Sequence, residues 1–242
     1  MALLSLLRAS VAVGVALTAG CSQDPPTTPA AVSAPTTADA PADAPADAAG
    51  TAPAPRPPDR PASASPTAVV ESGDGRLVVV PGTGPVSGPG QATPYVVEVE
   101  GGLGIDAAAF AREVDRVLTD PRSWGAAGRR AVRRVDGGAV AFRVALASPR
   151  TTDRLCAPLE TNGYFSCASG DRAVLNLARW QTGARAYDGD LPAYRQYLVN
   201  HEVGHTLGRG HEQCPGAGEQ APVMQQQSKG LAGCAPNSWP YP

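Results

Sequence analysis

Lysine is nearly absent from this chain: Lys229 is the only one in 242 residues, and arginine carries the remaining positive charge. Twenty basic and 22 acidic side chains are scattered along it, for a formal net charge of -2. No basic stripe exists to neutralise a phosphate backbone, so no nucleic acid is expected as a partner. Apolar runs are short, and none reaches the roughly 20 residues that a membrane-spanning helix needs. No Cys-x-x-Cys pair occurs, which argues against a structural zinc site built from thiolates. No internal repeat is visible, and the length suits one folded domain behind an extended N-terminal region. Between Ser22 and Thr67 large apolar side chains are almost missing, while Pro, Ala, Thr, Ser and Asp dominate. Such a stretch cannot bury enough surface to offset the entropy of ordering it, so residues 21–67 are predicted to be a disordered Pro/Ala/Thr-rich linker. A tether of that composition spans on the order of 40 Å.

The first 20 residues read as a targeting segment, with Arg8 in a short basic start and an apolar stretch from Ala9 to Ala19. The sequence Leu17-Thr18-Ala19-Gly20-Cys21 resembles a bacterial lipobox, in which the cysteine becomes the lipid-bearing N-terminus. That resemblance implies a lipoprotein-type signal peptide over 1–20, a membrane anchor on Cys21 and a place on the outer face of the cell membrane. The alternative is an ordinary secretory signal, with Cys21 incidental and the protein secreted. Export favours disulfides. With Cys21 set aside, four cysteines remain and allow three pairings. Cys156 with Cys167 and Cys214 with Cys234 are preferred because both close short loops; a zinc site using all four thiolates is the competing reading.

Structured signals begin near Ala68. Strands are expected at Arg76 to Val80, at Tyr95 to Glu100, where apolar and acidic residues alternate, at Val140 to Ala147, and at Ala173 to Leu177. Asp106 is placed to cap a helix with Phe110, Val114, Val117 and Leu118 on one stripe, closed by Pro121. A second helix is expected from about Leu191 to Leu207, with Asp190 as cap and Pro192 in its first turn.

All three histidines of the chain fall within eleven residues, in His201-Glu202-Val203-Gly204-His205-Thr206-Leu207-Gly208-Arg209-Gly210-His211, which fits H-E-x-x-H-x-x-G-x-x-H. On a helix, residues four apart share a face, so His201 and His205 can present both imidazoles to one ion. Gly208 permits the positive φ that ends a helix and lets the chain bring back His211 as third ligand. Three neutral imidazoles leave one tetrahedral position of zinc (Zn2+) open, the pattern of a catalytic site. Glu202, beside the first ligand, is placed to act as general base toward a water and then as acid toward a leaving amine. The plainer alternative, solvated surface histidines, requires all three to occupy ligand positions by chance.

At these residues the sequence resembles the metzincin clan of zinc peptidases. The resemblance implies an α+β fold: a metzincin-like zincin domain over 68–242, with a twisted mixed sheet, an active-site helix and a Met-turn. Pro222-Val223-Met224 follows His211, and Met224 is the only methionine besides Met1, so it carries the Met-turn role as a hydrophobic floor under the imidazoles. Where some metzincins place a metal-approaching tyrosine two residues later, this chain has Gln226. Glu212 after the third histidine is shared with astacin-like members, and no inhibitory cysteine segment precedes the domain. The strand before the active helix forms the cleft rim in this clan, which makes Ala173 to Leu177 the expected peptide-pairing edge. The wider chain is also similar to a family of actinobacterial exported proteins. The segments Asp120-Pro121-Arg122-Ser123-Trp124, Leu175 to Trp180, Tyr194 to Asn200 and Cys234 to Pro240 carry that likeness.

The expected function is thus a zinc metallopeptidase acting on extracytoplasmic peptides or proteins, expected to be a monomer. Two alternatives share the site: a hydrolase of cell-wall peptide crosslinks, and a noncatalytic zinc-stabilised binding lipoprotein. Arg179, Trp180, Asn200, Asn237 and Trp239 lie near the motifs; the two tryptophans are expected to fill the core.

Overall fold

The computed structural model describes residues 68–125 and 130–242. The expected signal peptide over 1–20, Cys21 and the linker over 21–67 lie outside the described residues. Three strands, β2 (Thr93–Glu100), β4 (Phe142–Ala147) and β6 (Arg172–Asn176), pair in parallel at the centre. Two short antiparallel strands flank them, β1 (Leu77–Val79) against β2 and β5 (Cys167–Ser169) against β6. The short β3 (Val132–Arg134) pairs in parallel with the start of β2. The result is an α+β fold on a mixed sheet of order β1-β2-β4-β6-β5.

Alternation sorts the two faces of this sheet. Tyr95, Val97 and Val99 of β2 join Val144, Leu146, Ala173 and Leu175 in the main core. Against that face pack α1 (Ala107–Leu118) through Phe110, Val114, Val117 and Leu118, and α4 (Leu191–Thr206) through Tyr194, Leu198, Val199 and Val203. Asp106 caps α1 by accepting the Ala109 N–H, and Asp190 caps α4 by accepting the Ala193 N–H. On the opposite face Glu98 accepts hydrogen bonds from Arg143 and Arg172 at 3.0 and 2.8 Å. There α2 (Pro149–Cys156) covers a small cluster of Ala147, Cys156, Cys167 and Val174.

Two findings depart from the sequence expectations. Strand β6 has partners on both sides, so Ala173 to Leu177 is not a free edge. The three-residue β5 holds the edge instead, returning through the Gly170 turn, where φ is +60°. Leu177 belongs to the next element, α3 (Leu177–Thr182), whose first turn is capped by the Asn176 side chain accepting the Ala178 N–H. Both expected disulfides are present, Cys156–Cys167 and Cys214–Cys234. Among the described residues no helix is long and apolar enough to cross a membrane.

Candidate metal centre

Helix α4 is buried along most of its length, which carries His201 and Glu202 into the interior. It ends at Thr206 with Leu207 as C-cap, and Gly208 follows at φ +82°, as the motif requires. The reversal is held by Arg209 N–H to the Gly204 carbonyl and Gly208 N–H to the His205 carbonyl, both at 2.9 Å. It returns His211 toward the helix. His205 Nε2 then lies 3.3 Å from His201 Nε2 and 3.1 Å from His211 Nε2. One ligand atom from each histidine lies within 4.8 Å of the others, a grouping able to hold a metal ion. The ring angles fit convergence: His205 stands at 88° to both other rings, which are themselves 22° apart.

Backbone carbonyls set the tautomers. His201 Nδ1 lies 2.9 Å from the Val223 carbonyl and His205 Nδ1 lies 2.8 Å from the Arg209 carbonyl. A carbonyl can only accept, so both Nδ1 atoms carry the proton and both Nε2 lone pairs point into the shared space. Burial, with the neighbouring imidazoles adding to it, pushes His201 down to about 3, so it stays neutral and able to ligate. His211 is lowered by burial and by the fields of His205 and Lys229. Burial alone pushes the Glu202 carboxyl up to about 8. It lines the same cleft as the three imidazoles, the setting in which a carboxyl exchanges protons near neutrality.

Met224 lies beneath this group, 1% exposed, in a turn closed by Gln225 N–H to the Pro222 carbonyl. Its carbonyl accepts the Glu212 N–H, tying the residue after His211 to the turn. Gly204, between the two helical histidines, faces Met224 and Trp124: a Cβ there would lie 2.5 Å from Met224 Sδ and 2.7 Å from Trp124 Cζ2. Trp124 Nε1 donates to the Asn200 carbonyl, while the Asn200 side chain accepts from Ser123 Oγ and donates to the Ser238 carbonyl. Asn237 and Gln227 bind one another's segments through three hydrogen bonds of 2.7 to 3.2 Å that reach Pro222 and Asn237. The motif segments around Trp124, Asn200 and Asn237 thus converge behind α4. Trp180 and Trp239 are buried, as expected, and Arg195 braces Trp180 by donating to its carbonyl.

Sequence reasoning missed several residues at the cleft. Tyr197 packs its ring 5.1 Å from that of His201, donates its hydroxyl to the Gln225 carbonyl and accepts the Gln227 N–H. It lies one helical turn before His201, so only the spacing along α4 could have signalled it. Phe165, Ser166 and Ala168 line the cleft from the segment leading into and through β5, and Gln226 and Lys229 from the segment after Met224. The cleft encloses about 330 Å³, enough for a few side chains of an extended peptide.

Fold and site together define an α+β protein with a three-histidine centre and a buried carboxyl at the base of an open cleft. The chain belongs to the family described as protein of unknown function (DUF3152), which matches residues 64–233 and so spans the three histidines and Met224. No curated protein and no solved structure matches it.

Proposed function

We propose that this protein is a zinc-dependent, metzincin-type metallopeptidase that hydrolyses peptide bonds of extracytoplasmic proteins or peptides. The observation that carries the reading is the convergence of three Nε2 atoms beside the Glu202 carboxyl. Two nitrogens about 2.0–2.1 Å from a tetrahedral zinc stand about 3.3–3.4 Å apart, close to the 3.3 and 3.1 Å found for two of the three pairs, with all three ligand atoms within 4.8 Å of one another. Without a cation, lone pairs of neutral rings at that separation would repel, so the donor set fits the metal. Met224 in its turn under Gly204 supports the metzincin likeness. The lipobox-like Leu17 to Cys21 and the two disulfides support an exported protein tethered through Cys21.

A bound zinc supplies Lewis acidity, lowering the pKa of a water and polarising a carbonyl. His201, His205 and His211 would hold that ion, with the Val223 and Arg209 carbonyls orienting the first two rings. Glu202 takes the proton of the attacking water and hands it to the departing amine nitrogen. Its burial keeps the carboxyl's proton affinity near that task.

The test is zinc analysis of the full chain alongside digestion of denatured proteins and peptide libraries. One zinc per chain and cleavage blocked by a chelator are expected, and Glu202→Gln should retain the metal while losing about 10²–10⁴-fold in kcat. Undiminished cleavage by Glu202→Gln, or a wild-type chain that takes up no metal, would refute the assignment.

A further inference from the structure

Among the side chains lining the cleft, Lys229 is the only lysine or arginine; the other acidic and basic side chains there are Glu160, Glu202 and the three histidines. It is exposed, yet its place is firmly set. Its N–H donates to the Gln226 carbonyl at 2.9 Å, and the preceding Ser228 hydroxyl is 2.9 Å from the Tyr194 hydroxyl. Gln227, fully buried, donates its N–H to the Tyr197 hydroxyl. The segment is thus fastened to α4 at the same turns that precede His201.

The segment that carries Phe165 is fastened too. Phe165 lies in the loop closed by Cys156–Cys167, and Arg179 holds the adjacent Tyr164 by donating to its carbonyl and stacking 3.0 Å from the ring centroid. The Lys229 ammonium sits 5.3 Å from the centroid of the Phe165 ring, so the two cleft-lining residues are neighbours. Three arginines of the sheet have carboxylate partners: Arg134 with Asp115, and Arg143 and Arg172 with Glu98. Among the described residues Lys229 forms no such pair. A cation held at a substrate cleft without a counter-ion attracts an anion and repels a cation. Glu160 lines the same cleft and has the reverse preference in its own neighbourhood.

We propose that Lys229 is a specificity residue that selects peptides carrying a carboxylate close to the bond being cleaved. This rests on the peptidase reading above. A carboxylate entering beside Lys229 gains an ion pair and leaves Phe165 to cover the apolar part of the same residue. An extended peptide is thereby oriented with its acidic group beside Lys229.

The test uses matched peptides that differ at one position, occupied by Glu, Gln or Lys and scanned along the sequence. Cleavage by the full chain is measured as kcat/KM, and binding to the zinc-loaded Glu202→Gln chain by fluorescence anisotropy. At one position wild type should favour Glu over Gln about threefold and over Lys about tenfold, as expected for a partly exposed pair. Lys229→Ala should level Glu and Gln, Lys229→Glu should favour Lys, and high salt should shrink every difference. A Lys229→Glu chain with the wild-type preference, or wild-type cleavage indifferent to charge at every position, overturns the proposal. Should no peptide be cleaved at all, the peptidase reading fails by itself; the binding arm still decides, since equal or absent binding of the Glu and Lys peptides refutes the charge selection.

Discussion

Gly204 shows how tightly single residues around the histidines are constrained. Replacing a helix-interior glycine with alanine ordinarily gains about 1 kcal/mol in helix propensity. Here the new methyl would meet Met224 Sδ at 2.5 Å and the Trp124 ring at 2.7 Å, both buried. Overpacking of that kind costs about 1–3 kcal/mol. The Met224 side chain can yield, but the Trp124 ring is pinned through Nε1 to Asn200. Gly204→Ala is therefore expected to be destabilising by about 1–2 kcal/mol in denaturant unfolding and to weaken metal uptake, since the shift falls between His201 and His205. A variant as stable as wild type would show that the floor is loose. At this scale the grouping of the three histidines was legible in the sequence, because His201, Glu202 and His205 are related by helix geometry and His211 by one glycine turn. Tyr197 and Lys229 were not, because nothing local distinguishes a tyrosine or lysine that faces a cleft from one that faces a core or solvent.

Among the elements, β2 and α2 are joined by Glu100, which accepts the Ser148 N–H, the Thr151 hydroxyl and the Gly75 N–H at 2.7 to 2.9 Å. Burial by itself would raise its pKa, but these hydrogen bonds outweigh it and hold the carboxyl below its ordinary value near 4.5. An acid whose folded pKa is depressed adds stability above its unfolded pKa, and loses it as pH falls through the folded value. Unfolding free energy should accordingly drop as pH falls below about 4.5, and Glu100→Gln should flatten that part of the profile. Equal slopes in the two proteins would assign the acid sensitivity to other carboxyls. The strands and helices with clear alternation or caps were readable in advance, including the acidic-apolar pattern of β2. The rim was misplaced because β5 has only three residues, Cys167, Ala168 and Ser169, and no alternation to reveal it. Which strand lies at an edge depends on partners supplied from elsewhere in the chain.

Across the whole domain, the two disulfides bracket the site. Cys156–Cys167 closes the loop that carries Phe165, and Cys214–Cys234 spans the loop that carries Met224 and Lys229. Loops of this size are stabilised by about 3 kcal/mol on closure. Cys214→Ser with Cys234→Ser should lower unfolding free energy by about that amount and loosen the metal site, measured by chemical denaturation with zinc titration. Unchanged stability and affinity would mean that the loop is held by its hydrogen bonds to α4 alone.

The sequence determined on its own the chemistry that depends on short spacings: which imidazoles share a helical face, which carboxyl stands beside them, which cysteines close short loops, and where α1 and α4 begin. The tertiary structure alone decided which strand borders the cleft, what braces the far side of α4, and that the single lysine faces the histidines. Those outcomes arise from contacts between segments as distant as Trp124 and Asn200 or Phe165 and Lys229, and they exist only after the sheet has chosen its order and the helices have packed on one face.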